Sequence, residues 1–451
     1  MKITRRSFLQ VCGAAGFAAA LSACGAASST ASSAAASSVA ASSAAEGLTL
    51  STDPVTIGFC WWGGDSRHEA TQNAVAAFMA KYTNITVENT FGAWTDWETS
   101  VSQQIYAGTA PDVMQINWNW ISSYSADGSG FYDLNQAANI LDLTQFPEDK
   151  LAMCQLDDGN QQCVPVSMTG RIFYWDKTTF DELGVALPTS QADLTAAGAA
   201  FKAKGDKYYP LVVGEYDRMV LMVYYLESKY GKNWVENGAV NYTEEEVKDG
   251  LDWLTQLETD HVIPTLEKLK GDGADSIDKN QNWIEGYYAG IFEWDSSASK
   301  MSKAAEGREI VVGDYFKDWG TYQGGFSKVS MGFAVSAKSQ HPAEAALLIN
   351  YLLNDPEGIE IMASERGIPC STVGLSTCTE KGLLNEMVAE ANGKVMAWTQ
   401  FQLDPKFESG DLKTNETGLY YVVLGGLSYG QMDSAEAAKE LIDGVNAVLQ
   451  A

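Results

Sequence analysis

Val55-Thr56-Ile57-Gly58-Phe59-Cys60-Trp61-Trp62-Gly63-Gly64-Asp65-Ser66-Arg67-His68-Glu69 decides the fold of this chain. The apolar run from Val55 to Cys60 has the length of a buried strand, and it stops at a pair of glycines. From Glu69 to Tyr82, the residues Val75, Ala76, Phe78, Met79 and Tyr82 fall near helical spacing. A strand, a glycine turn and a helix open an α/β unit. In open α/β sheets, ligands sit outside the carboxyl ends of the strands. Two adjacent indoles stand at that end, beside a turn that lets a ligand approach the backbone. A sugar ring suits them, because its apolar C–H face stacks on an aromatic face. One of Trp61 and Trp62 could instead pack into the core, and the sequence leaves that choice open.

Outward from this unit the pattern repeats. Ile85 to Phe91 alternates as a second strand and leads to Trp94 and Trp97. Trp97 to Ala107 reads as a helix. Ala110 to Ile116 reads as a third strand, ended by Asn117-Trp118-Asn119-Trp120. Three successive strands thus each deliver a tryptophan loop on one side. We expect a binding rim of Trp61, Trp62, Trp94, Trp97 and Trp118, with Asp65 and Asn119 offering hydrogen bonds.

The chain has 451 residues, more than one hydrophobic core fills, so two lobes are expected. Its 30 basic and 58 acidic residues give a net charge of −28. That sign excludes nucleic acid as a natural partner and suits a neutral ligand. Lys2, Arg5 and Arg6 precede an apolar run from Val11 to Leu21, then small residues, which is the form of a signal peptide over residues 1–23. Leu21-Ser22-Ala23-Cys24 resembles a bacterial lipobox, which implies lipidation of Cys24. Thr4-Arg5-Arg6-Ser7-Phe8-Leu9 resembles a twin-arginine export signal. Residues 24–53 are largely Ala and Ser, and read as a flexible tether.

Of the seven cysteines, Cys12 leaves with the signal and Cys60 reads as a buried thiol. Cys154 and Cys163 bracket one short loop, and Cys370 and Cys378 another, so two local disulfides are expected outside the cytosol. No two cysteines have C-x-x-C spacing and the three histidines lie far apart. No metal site and no cofactor are expected.

In the second half, Tyr208 to Gly214 reads as a strand with Asp217 beyond its end, and Thr243 to His261 as a helix. Several ordered motifs then resemble one family. They are Gly108-Thr109-Ala110-Pro111-Asp112-Val113, the run Asp158 to Val166, Phe173-Tyr174-Trp175-Asp176-Lys177, Trp283 to Asp295, His341 to Leu353, and Arg366-Gly367-Ile368-Pro369. The set looks like bacterial extracellular solute-binding proteins, the receptors of carbohydrate ABC importers, similar in plan to maltodextrin-binding protein. Cys163 departs from the Tyr or Gly usual there. The resemblance implies an α/β, two-lobed periplasmic-binding-protein-like fold with hinge crossings and an interlobe cleft. Lobe one would hold 54–166 and 328–366, and lobe two 167–327 and 367–451. Thr169, Arg171, Asp217, Glu293, Trp294, Asp295, Gly325, Phe326 and Arg366 become further ligand-binding candidates. Glu293, Trp294 and Asp295 would all be free if the strand before them ends near Phe292. The implied protein is a monomeric receptor that passes an oligosaccharide to a membrane permease, held outside the cell by its lipid. An amino-acid or peptide receptor is the alternative, and a secreted glycoside hydrolase a weaker one. No nucleophile, base and acid fall into a recognised catalytic spacing.

Overall fold

The computed structural model describes residues 47–94, 97–273 and 277–450. The expected signal peptide, most of the tether and Cys24 lie outside the described residues. Ten strands are present: β1 (Val55–Trp62), β2 (Ile85–Gly92), β3 (Val113–Ile116), β4 (Val164–Thr169), β5 (Arg171–Asp176), β6 (Val235–Glu236), β7 (Ala239–Val240), β8 (Gly290–Trp294), β9 (Ile310–Val312) and β10 (Lys328–Val335). They form a five-stranded sheet in the order β2-β1-β3-β10-β4, a three-stranded sheet in the order β8-β5-β9, and a small β6-β7 hairpin.

In the first sheet β1 runs parallel to β2 and β3, while β10 is antiparallel to both of its neighbours. Parallel strands need helical crossovers. The first is α1 (Asp65–Lys81), whose buried Thr71, Ala74, Val75 and Phe78 form one helical stripe. The second is α2 (Trp97–Ala107). Val55, Ile57, Phe59 and Trp61 point into the same core as Val75 and Phe78, whereas Cys60 belongs to a second core on the opposite face. Both faces of β1 are covered, as parallel sheets require.

The chain passes from the first sheet to the second in one residue, Gly170, between β4 and β5. A Cβ there would lie 2.5 Å from Val395 Cγ1 and 2.8 Å from the Phe326 carbonyl. Only glycine fits this crossing. A second crossing enters β10 at Lys328. The third runs through Arg366-Gly367-Ile368-Pro369, where Pro369 bridges Ser167 and the Cys370 amide donates to the Val166 carbonyl at 2.9 Å. Three adjacent crossings make the hinge of a two-lobed protein.

Asp112 explains why Ala110-Pro111-Asp112-Val113 recurs as a motif. Its carboxylate accepts from the Gly58 amide at 2.9 Å and from Ser339 Oγ at 2.6 Å, tying β1, β3 and the loop after β10 together. Three expectations change. Residues 208–214 do not form a strand: only Tyr209 and Val212 make single bridges, to Tyr288 and Ile291. β8 continues through Trp294 rather than ending near Phe292, because Trp294 pairs with Arg171. The helix Thr372–Glu380, assigned to lobe two from sequence, packs on the helices Pro342–Asn354 and Pro356–Met362 beside the first sheet. The helices Leu419–Ser428 and Ser434–Gln450 do pack on the lobe-two helices Glu215–Tyr230 and Glu244–Thr259. No helix among the described residues is long and apolar enough to cross a membrane.

Candidate functional site

Strand parity separates the two leading indoles. Trp61 faces inward with Phe59, is 0% exposed, stacks on Phe91 at 5.0 Å, and donates its indole N–H to His68 Nδ1 at 3.1 Å. It is a core residue, not a rim residue. Trp62 points the other way and is half-buried. Its ring lies 5.0 Å from Trp94 and 5.7 Å from Trp120. Trp94 is 41% exposed and stacks on Trp120 at 6.4 Å. Trp62 and Trp94 form an aromatic wall beyond the carboxyl ends of β1 and β3, with Trp120, 0% exposed, packed behind it. Trp120 was not among the expected site residues.

The other candidates on this side are placed differently. Trp97 is half-buried under the Gly92 turn. Trp118 is buried and lines a separate cavity of about 370 Å³ with Asp127, Met153, Leu156, Asp157 and Pro405. The indole N–H groups of Trp97, Trp118 and Trp120 are buried without an acceptor. Asn119 is fully buried and donates to the Glu408 carbonyl at 3.1 Å, which ties lobe one to the segment Pro405–Glu408. Asp65 is exposed at the start of α1.

On the second sheet Arg171 is the centre. Its Nη1 meets Asp217 Oδ1 at 2.9 Å, Glu293 Oε1 at 3.1 Å and the Phe292 carbonyl at 2.9 Å. The guanidinium lies 4.3 Å from the Trp294 ring centroid and 5.7 Å from that of Tyr216. Such stacking on an indole face is favourable for a cation. Burial works against the Arg171 charge, but Glu293 and Asp217 outweigh it and raise its pKa. Asp217 and Glu293 keep 24% and 20% of their side chains exposed, so they retain lone pairs for a ligand. Lys328 Nζ stands 4.9 Å from the Trp294 ring centroid and pairs with buried Glu408, which also accepts from Tyr216 Oη at 2.8 Å. Burial pushes Glu408 up, yet Lys328 and Lys413 hold it down at about 2, so it is ionised. Neither Lys328, Glu408 nor Tyr216 was expected here. Lys328 and Glu408 are 80 residues apart, and no local pattern links them.

Five candidates serve the hinge or the core instead. Asp295 is 1% exposed, accepts from Thr169 Oγ1 and from Asn392 Nδ2 at 2.7 Å, and its amide donates to the Gly170 carbonyl at 3.0 Å. With Thr169 it staples the first crossing, and burial raises its pKa to about 6. Gly325 has φ +94°, and a Cβ there would meet the Tyr224 ring at 2.2 Å. Phe326 is 0% exposed against Tyr224 and Phe407. Arg366, 3% exposed, lies behind the first sheet's strand ends with Gln115 and Thr71. All five described cysteines, Cys60, Cys154, Cys163, Cys370 and Cys378, are free thiols, so neither expected disulfide is formed in this structure. Cys154 and Cys163 do face one another in the core. Cys370 neighbours Cys154, because the third crossing runs alongside β4.

Residues 64–359 match the family described as bacterial extracellular solute-binding protein. Among solved structures, the chain is similar to the periplasmic solute-binding protein ECA2210 of Pectobacterium atrosepticum, with 32% identity and a TM-score of 0.83 over 88% of this chain and 99% of that one. It is similar to a periplasmic oligogalacturonide-binding protein of Yersinia enterocolitica in complex with saturated digalacturonic acid: 30% identity, TM-score 0.82, 88% and 99% covered. A de novo designed cysteine esterase, ECH19, is also similar, with 30% identity and a TM-score of 0.75 over 89% and 99%.

Proposed function

This chain belongs to the bacterial extracellular solute-binding protein family, and we propose on that premise that it captures an oligosaccharide between its lobes for an ABC importer. The observation that carries the reading is the pairing of two complementary walls. Trp62 and Trp94 offer apolar faces on one side, backed by the fully buried Trp120. Trp294 over Arg171, with the partly exposed Asp217 and Glu293, offers a stacking ring and charged acceptors on the other. A sugar has both surfaces: C–H faces for the indoles and hydroxyls that donate to carboxylates, a strong class of hydrogen bond. The oligogalacturonide-binding relative supports the sugar assignment.

A sugar that touches both walls binds the closed arrangement better than the open one, and so shifts the hinge equilibrium. The bending points are Gly170, the segment before Lys328, and Gly367. Asn119 donates to the Glu408 carbonyl between the lobes in this structure. The closed shape is the form a permease recognises. The protein works outside the cytoplasm as a monomer. Cys24 carries the lipid that holds it to the outer face of the membrane. The designed esterase shares the fold, and the function assigned here is capture without turnover.

Thermal shift of the full chain against oligosaccharides, with intrinsic tryptophan fluorescence, tests the reading. One group of sugars raises the midpoint and changes the emission. Trp62→Ala lowers affinity about tenfold and spares the fold, whereas Trp61→Ala lowers stability by about 3–5 kcal/mol. Binding of amino acids or peptides alone, or release of hydrolysed sugar, overturns it.

A further inference from the structure

The cavity at Trp118 takes no part in the two walls. It measures about 370 Å³, within the roughly 300–1,000 Å³ of small-molecule sites. Trp118, Ile121, Met153, Leu156 and Pro405 give it an apolar lining. Asp127, Asp157 and Asp158 give it charge, and among the described residues no lysine or arginine lines it. The basic residues nearest in sequence are engaged elsewhere. Lys150 pairs with Asp149 at 2.9 Å, and Lys406 Nζ donates to the Leu449 carbonyl at 3.1 Å. A concave site lined by one sign of charge concentrates the opposite ion.

The three acids meet because two turns pack together. Gly128 has φ +75°, and a Cβ there would lie 3.2 Å from Asn160 Nδ2 and 3.5 Å from Leu156 Cδ1. Asp127 precedes that glycine, and Asp157 and Asp158 lie between Leu156 and Asn160. The turns use one oxygen each of Asp127 and Asp158, which accept from the Ser129 and Asn160 amides at 3.0 Å. The Asp157 carboxylate has no partner among the described residues. Trp118 adds a separate observation. It is 5% exposed, and its indole N–H is buried without an acceptor. A buried donor left unpaired is costly, so the site is short of an acceptor as well as of a cation.

Those needs define the ligand. It brings an apolar face for the lining, an oxygen for the Trp118 N–H and a cation for the carboxylates. An inorganic cation supplies only the last. An alkylamine lacks the oxygen, and a neutral sugar lacks the charge. An amino sugar has all three, and its ammonium makes the stronger, charge-assisted class of hydrogen bond to Asp127, Asp157 and Asp158. We propose that this cavity is a second binding site, distinct from the Trp62 and Trp294 walls, and that it takes an amino sugar. A free amino sugar and an amino sugar at the end of a captured chain carry the same chemistry.

The test is isothermal titration of the full chain at pH about 6, where an amino group of this kind is protonated. The probes are glucosamine and its dimer, N-acetylglucosamine and its dimer, glucose, butane-1,4-diamine and magnesium chloride. Glucosamine or its dimer binds at least about tenfold more tightly than every other probe. The triple variant Asp127→Asn, Asp157→Asn, Asp158→Asn changes only exposed side chains, keeps its circular dichroism spectrum and loses that preference. Monosaccharide binding that Trp62→Ala leaves unchanged identifies the free sugar as the source. Binding of the dimer alone, weakened by Trp62→Ala as well as by the triple variant, identifies the end of a captured chain. N-acetylated or neutral sugar bound as tightly as the amine overturns the inference, as does a preference that survives in the triple variant. Diamine or magnesium bound as tightly marks no more than an acidic surface and overturns it too, as does heat from none of the probes. Each of these leaves the oligosaccharide receptor standing, because that reading fails separately, when no oligosaccharide changes the tryptophan emission.

Discussion

Arg171 and Arg366 are equally buried, each 3% exposed, and each stands at a crossing between the sheets, yet their surroundings are opposite. Arg171 is enclosed by Asp217, Glu293, the Phe292 carbonyl and two aromatic faces. Arg366 has a glutamine, a threonine, a sulfur and a second arginine. Arg171 carries two carboxylates on its guanidinium, whereas Arg366 has hydrogen bonds to neutral groups alone and Glu365 farther off. The overall charge of −28 suggested a neutral ligand, but net charge speaks of the long-range field and not of one strand end.

Substitutions can break that contrast. The largest effect is expected at Lys328, whose removal strands Glu408, a carboxylate 3% exposed. Lys328→Met lowers stability by about 3–5 kcal/mol in chemical denaturation, and adding Glu408→Leu recovers part of the loss. Arg171→Met costs about 3 kcal/mol, because it leaves two acids facing each other, while Arg366→Met costs about 1 kcal/mol or less, because it relieves the repulsion with Arg67. Equal losses at the two arginines would break the comparison.

Asp295 extends it to an acid that has hydroxyl and amide partners but no cation. Its folded pKa, about 6, lies above the ordinary 3.8, so the folded protein holds this proton more tightly than the unfolded chain. That stabilisation is complete below pH about 4 and is lost as pH rises through about 6, a loss of about 3 kcal/mol in all and about 2 kcal/mol between pH 4.5 and 7. Urea midpoints at pH 4.5 and 7 check this: Asp295→Asn removes the part of the pH dependence that this carboxyl contributes. The smallest effect belongs to the uncharged wall. Trp94 is 41% exposed, so Trp94→Ala leaves stability within about 0.5 kcal/mol and weakens sugar binding by about 1 kcal/mol in a titration.

Much of the fold was legible because it is local. The strand, glycine turn and helix at 55–81 follow from period and spacing. The assignment of Trp61 and Trp62 was not legible, since both faces of β1 are buried and alternation carries no hydrophobic contrast there. Phe326 and Gly325 were expected in the cleft from the family resemblance alone. Gly325 exists to pass Tyr224 closely. Glu293 to Asp295 depended on where β8 ends, which its pairing with Arg171 sets and no residue within the run announces. Lys328 with Glu408, and Arg67 with Arg366, meet only after the chain has crossed between lobes, so no spacing records them. Trp120 carried the same signal as Trp118 two residues earlier, and only the turn after β3 decides which indole joins Trp62.

The most direct measurement of the account is a calorimetric titration of the full chain with oligosaccharides, repeated on Trp62→Ala. The account predicts saturable one-to-one binding that Trp62→Ala weakens about tenfold while its melting temperature is unchanged. Heats that no oligosaccharide produces, or an affinity that Trp62→Ala leaves intact, would contradict it.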